Sequence, residues 1–162
     1  MNNPSSLFVG LGSPHGDDQV GWLVADRLAD PGTLPARLSI RKAAIPLDVL
    51  DWLDGVSFLG LCDASQTSAQ AGSLERWEWI SSRENTAPTG DLLSALERCR
   101  ACGSHDFGLP EVLDLAGRLN RSPGRIVIWT ISAKQYEAGQ PLSEELRRNL
   151  PSICDQIRAE LF

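Results

Sequence analysis

The sequence predicts one α/β domain, a mostly parallel twisted sheet of about five strands with helices on both faces. Three observations carry this. Short apolar runs alternate with segments of helical period along the whole chain. Two of those runs, Val56–Cys62 and Ile126–Ile131, are apolar almost throughout, as strands buried on both faces of a parallel sheet are. The 162 residues hold no repeat, linker or low-complexity tract, so residues 1–162 read as a single domain able to bury a sizeable core.

Each element follows in order. Leu7 to Gly12 is a first strand that runs into the turn Gly12–Asp18. From Asp17 to about Leu28 the period becomes helical, with Val20, Leu23, Val24 and Leu28 on one face. Asp17 and Asp18 suit its first turn, where the helix dipole favours negative charge. Asp30-Pro31-Gly32 ends it. Leu38 to Ala43 alternates weakly as a second strand, and Pro46 opens a helix carrying Val49, Leu50 and Leu53. The third strand, Val56 to Cys62, ends at Asp63. Gly72 to Ile80 alternates as an edge strand, with Leu74, Trp77 and Trp79 among polar residues. A loop then leads to a short helix at Leu92, Leu93 and Leu96, and Leu109 to Leu119 is helical. After the turn Ser122–Arg125 and the Ile126–Ile131 strand, Ser143 begins a last helix. Its apolar stripe is Leu146, Leu150, Ile153, Ile157 and Leu161, and Pro151 is expected to kink or restart it.

Fifteen Lys and Arg against twenty-one Asp and Glu give a net charge of −6. That balance argues against nucleic acid or an anionic membrane as partner. No run approaches the ~20 apolar residues of a membrane span, and the first residues lack the basic region of a signal peptide. The four cysteines are unevenly spaced, which fits a cytoplasmic protein with reduced thiols. A monomer fits a chain of this size.

In open α/β sheets the functional site lies beyond the carboxyl ends of the strands. Three places then stand out: the turn Gly12–Asp18, Asp63, and the loop around His105. A phosphate cradle at the first is a poor fit. Gly10 and Gly12 suit a dinucleotide fingerprint, but His15 stands where its third glycine belongs, and no Gly-Lys-Ser/Thr is present. Asp17 and Asp18 would also repel the phosphate by several kcal/mol at low dielectric. A cation suits the residues better. A carboxylate at the end of a buried strand must be paired, capped or bound to a cation. The two histidines of the chain, His15 and His105, both fall in candidate loops. Two carboxylates and one imidazole can hold a borderline divalent ion with positions left open. Taken singly, Asp63 as a loop cap and His105 as a residue before a helix account for each position as well.

In this order, "GLGSPHGDDQVGWLVADRL", "LCDAS" after an apolar strand, "SHDFGLPEVLDLAG", "IVIWTISA" and an "LSEEL" helix resemble the hydrogenase maturation endopeptidases. These trim the C-terminal tail from the large-subunit precursor of nickel–iron hydrogenases. The resemblance spans nearly the whole chain and rests on the ordered set rather than on any one motif. It implies a soluble peptidase whose partner is a hydrogenase large-subunit precursor. It maps the family's first-loop acid to Asp18 with Asp17 as acidic neighbour, its strand-end aspartate to Asp63, and its histidine to His105. Asp18, Asp63 and His105 would then be ligands to the nickel already installed in the substrate, a place that cadmium or zinc could also take. Asp17, Asp18 and Asp63 would be the catalytic acids. Carboxylate and imidazole ligands hold nickel more weakly than thiolates, so the metal would stay with the product. The ion could polarise the scissile carbonyl or a water, or it could only position the substrate while a carboxylate such as Asp17 acts as base.

The chain departs from the family in two places. Its first turn is about one residue shorter and carries His15, either an extra ligand or a loop-exposed side chain. Arg41–Pro46 lacks the glycine and threonine of a family motif linked to substrate handling. That departure motivates a second reading, a non-catalytic metal-sensing or chaperone-like binder of the precursor. A third, a hydrolase for small substrates, predicts a compact apolar pocket near Asp63. Cys99, Cys102 and His105 stand at C-x-x-C-x-x-H, either extra thiolate ligands, a redox pair or two thiols at a helix end.

Overall fold

The computed structural model describes residues 5–67, 69–99 and 107–162. Five strands, β1 (Ser5–Leu11), β2 (Leu38–Ala43), β3 (Val56–Ser65), β4 (Leu74–Ile80) and β5 (Arg125–Ser132), form one sheet in the order β2-β1-β3-β5-β4. All neighbours are parallel except β4, which runs antiparallel to β5 at one edge. The most apolar strands, β3 and β5, lie inside the sheet, and the alternating β4 lies at its edge. Burial on two faces demands a continuous apolar run, whereas an edge tolerates polar residues.

Side-chain alternation divides the core into two layers. Phe8, Cys62, Val127, Trp129 and Ile131 pack under α1 (Val20–Leu28) and α4 (Glu144–Leu161). Leu7, Val9, Leu59, Leu61, Ile126 and Ile128 pack under α2 (Gly90–Glu97), α3 (Leu109–Arg118) and the 3-10 segment Pro46–Trp52. Helices thus cover both faces, as the sequence predicts.

α1 lies directly on the sheet because two glycines let it. A Cβ on Gly10 would stand 2.0 Å from the Gly21 carbonyl oxygen, and one on Gly21 would stand 2.0 Å from that of Leu11. No side chain fits either gap.

Three expectations need correction. β3 does not end at Asp63 but continues through Ser65, with Asp63 paired to Thr130 and Ser65 to Ser132. The polar residues there belong to the strand because they extend its alternation. The segment opened by Pro46 is a 3-10 rather than an α-helix. α4 continues through Pro151 rather than restarting there. Pro151 is exposed, so the carbonyl that loses its helical donor can bond to water instead.

Candidate functional site

The strand order reverses between β1 and β3: the chain leaves β1 toward β2 on one side, while β5 and β4 lie on the other. In open α/β sheets ligands bind at such a switch point, outside the carboxyl ends of the two strands. β1 delivers a turn, Gly12–His15, and then a 3-10 segment, Gly16–Gln19, that carries Asp17 and Asp18. This segment packs against β3. Asp63 lies near the carboxyl end of β3 itself. The structure therefore brings Asp17, Asp18 and Asp63 to one end of the central strands. His15 is exposed at the turn. His105 and Cys102 lie outside the described residues.

The adjacent acids differ in environment. Asp17 is fully buried. Its Oδ1 accepts the Ser143 N–H at 2.7 Å, and its Oδ2 accepts the N–H groups of Gln135 at 3.1 Å and Lys134 at 3.2 Å. Asp18 is half-buried, yet its Oδ1 is buried and has no hydrogen-bond partner among the described residues. Its backbone is fixed: its N–H donates to the His15 carbonyl and its carbonyl accepts from Ser13.

Asp63 is fully buried and shares its face of β3 with Leu59 and Leu61. Sequence reasoning missed the polar layer around it. Ser65 lies on the same face two residues on, and Thr130 and Ser132 are their register partners on β5. All three are buried. The signal was available, since "CDAS" and "WTIS" both place polar residues two apart at the ends of apolar strands. Beyond β3, the Gln66 N–H reaches the Arg98 carbonyl, and Ser65 bridges to Cys99. The carboxyl end of α2 thus lies beside the Asp63 end of the sheet, and Leu109, at the start of α3, is fully buried.

The three described cysteines are packing residues. Cys62, Cys99 and Cys154 are buried, and Cys99 Sγ donates to the Ala95 carbonyl. Burial pushes the Cys62 thiol well up, and the nearby Asp63 and Cys154 raise it further. A protonated thiol is a poor nucleophile and a poor ligand. Among the described residues no three His, Cys, Asp or Glu side chains form a metal cluster.

A cavity of about 490 Å³ lies between α2 and α3, lined by Leu93, Phe107, Pro110 and Leu115 among others, and neither Asp18 nor Asp63 lines it. It is not the pocket near Asp63 that a small-substrate hydrolase predicts. In the altered segment, Arg41 stacks over Trp52 at 5.0 Å, Lys42 pairs with Asp26 at 2.8 Å, and Ile45 and Leu47 are exposed. No helix among the described residues is long and apolar enough to cross a membrane.

No family model matches the chain, and no curated protein matches it in sequence. Solved structures do. The chain is similar to a hydrogenase 2 maturation peptidase from a Thaumarchaeota archaeon, at 22% identity over 97% of each chain, with a TM-score of 0.68. It is similar to the [NiFe] hydrogenase maturation protease HycI from Thermococcus kodakarensis, at 16% identity over 97% of this chain and 92% of that one, TM-score 0.71. It is also similar to the hydrogenase maturating endopeptidase HybD from E. coli, at 15% identity over 97% and 91%, TM-score 0.73. At these identities the likeness speaks for the fold, and it agrees with the resemblance carried by the ordered motifs. Along nearly its whole length, this chain has the fold of the hydrogenase maturation peptidases.

Proposed function

We propose that this chain is an endopeptidase that removes the C-terminal extension from a nickel-loaded hydrogenase large-subunit precursor. One observation carries the reading: on this fold, Asp18 has a buried carboxylate oxygen with no hydrogen-bond donor among the described residues, at the strand ends where Asp63 also lies. A buried carboxylate oxygen left unsatisfied is costly. A cation carried in by the substrate would supply the missing partner. Asp18 and Asp63 provide oxygen ligands, and His105 is the proposed third. Such donors hold nickel more weakly than the substrate's thiolates, so the product would keep its metal. Zinc or cadmium would fit the same donors.

Hydrolysis adds water across the scissile amide. The water oxygen bonds to the carbonyl carbon, the C–N bond breaks, and a proton passes to the leaving nitrogen. Substrate-bound nickel would supply positive charge beside the carbonyl oxygen. Asp18 or Asp63 would carry the proton. The reaction would take place in the cytoplasm, where the precursor is made; that no helix among the described residues is long and apolar enough to cross a membrane is consistent with this.

The test is incubation with nickel-loaded and nickel-free precursor, followed by mass spectrometry. Loss of a C-terminal peptide from the loaded form is expected, and Asp63→Asn should slow it by about 100-fold or more. No loss from any cognate precursor, where a known maturation peptidase cuts, would sink the proposal. Binding without cleavage would select the non-catalytic binder instead.

A further inference from the structure

We infer that Asp17 is a positioning residue: its buried carboxylate clamps the Gly16–Gln19 turn to the loop between β5 and α4, and so sets where Asp18 points. This rests on the reading of Asp18 as a ligand given above.

The clamp is built from both sides. Asp17 accepts three backbone N–H groups, from Lys134, Gln135 and Ser143. The turn answers with its own backbone, as the Asp17 N–H donates to the Gln135 carbonyl and the Gly16 N–H to that of Gln140 at 2.9 Å. Gly16 has φ +55°, and a Cβ there would lie 2.3 Å from the Gln135 carbonyl oxygen. Only glycine permits so close an approach.

The same loop also holds β3. The Ala133 N–H donates to the Ser65 carbonyl at 3.1 Å, and the Tyr136 hydroxyl shares its proton between the Ala133 carbonyl at 3.0 Å and that of Ser65 at 3.2 Å. Ser65 stands two residues beyond Asp63. Residues 133–143 therefore hold both the neighbour of one acid, through Lys134, Gln135 and Ser143, and the strand of the other, through Ala133 and Tyr136. The Asp18 carboxylate has an oxygen with no hydrogen-bond partner among the described residues, so its direction comes from the turn, and the turn is held by Asp17.

The chemistry explains why the residue is aspartate. Three donors need an acceptor at both oxygens. Asparagine would set an NH₂ group against at least one backbone N–H. The same occupancy separates Asp17 from a general base, which needs a lone pair that substrate can reach. Asp17 is fully buried.

Two variants test the clamp. Asp17→Asn attacks the acceptor. Ser143→Pro deletes one donor at φ −59°, which proline accepts, and Ser143 Oγ has no hydrogen bond to lose. Amide hydrogen exchange and calorimetric titration with nickel ions alone are measured on both folded variants. In Asp17→Asn the amides of Lys134, Gln135 and Ser143 should exchange faster while those of Leu61 and Val127 keep their protection. Nickel affinity should fall by about 10-fold to 100-fold. Ser143→Pro should move the Lys134 and Gln135 amides and the affinity in the same direction, by less. Unchanged amides overturn the clamp, and opened amides with unchanged affinity overturn its role in aiming Asp18. Loss of cleavage with both readouts unchanged overturns the inference in favour of a base. If wild type binds no nickel, the ligand reading of Asp18 and Asp63 falls, and the amides alone decide whether Asp17 is a clamp.

Discussion

Asp17 and Asp18 are neighbours in sequence with opposite hydrogen-bonding states. One carboxylate is saturated by backbone donors, and the other has an oxygen with none among the described residues. The difference follows from the 3-10 geometry, which sends successive side chains in different directions. If Asp18 is a ligand, Asp18→Asn should weaken divalent-ion binding by about 10-fold or more while barely changing thermal stability, because its buried oxygen accepts no hydrogen bond among the described residues. Calorimetry and a melting curve check both halves. Cys62 gives a pH prediction. Its folded thiol is raised, so its favourable contribution is complete below the ~8.5 of an unfolded cysteine and is lost as pH rises beyond it. Wild-type stability should fall above about pH 8.5 more steeply than that of Cys62→Ala, as read by denaturant unfolding across that range. The pair Asp17-Asp18 was legible in the sequence as a site, but their division of labour was not. The donors to Asp17 are backbone amides, which carry no residue signature.

The elements that position the site depend on close backbone approach. Gly21→Ala would press a methyl into the carbonyls of Leu11 and Cys62. We expect a loss of about 3 kcal/mol or more, a fall in melting temperature of about 6–12 °C. Pro151→Ala should act in the other direction. It restores a helical donor on the exposed side of α4 and should stabilise by about 1–2 kcal/mol in denaturant unfolding, the helix gain being partly offset by a freer unfolded chain. Most elements were readable from period and caps: Val20–Leu28 from its apolar face, Arg125–Ser132 from its unbroken run. The end of β3 was not, because Asp63 and Ser65 look like the close of a strand when burial is judged by apolarity alone. Their register partners Thr130 and Ser132 can be found only once β3 and β5 are known to be adjacent. The 3-10 character of Pro46–Trp52 was equally hidden, since three to four residues per turn put Val49, Leu50 and Leu53 on nearly the same face.

For the molecule as a whole, the alternation of strands and helices was enough to predict a largely parallel sheet covered on both faces. Strand order was not, because it depends on which crossovers pack. That order, β2-β1-β3-β5-β4, is what makes the site: it reverses between β1 and β3 and leaves their carboxyl ends open together. The loop of residues 133–143 then ties the turn after β1 to the end of β3. The central claim is that Asp18 and Asp63 share one divalent ion. Anomalous diffraction from a zinc-soaked crystal tests it most directly. The account predicts one peak with a carboxylate oxygen from each of Asp18 and Asp63 at about 2.0–2.2 Å. A peak bound to only one of them, or none at either, would contradict it.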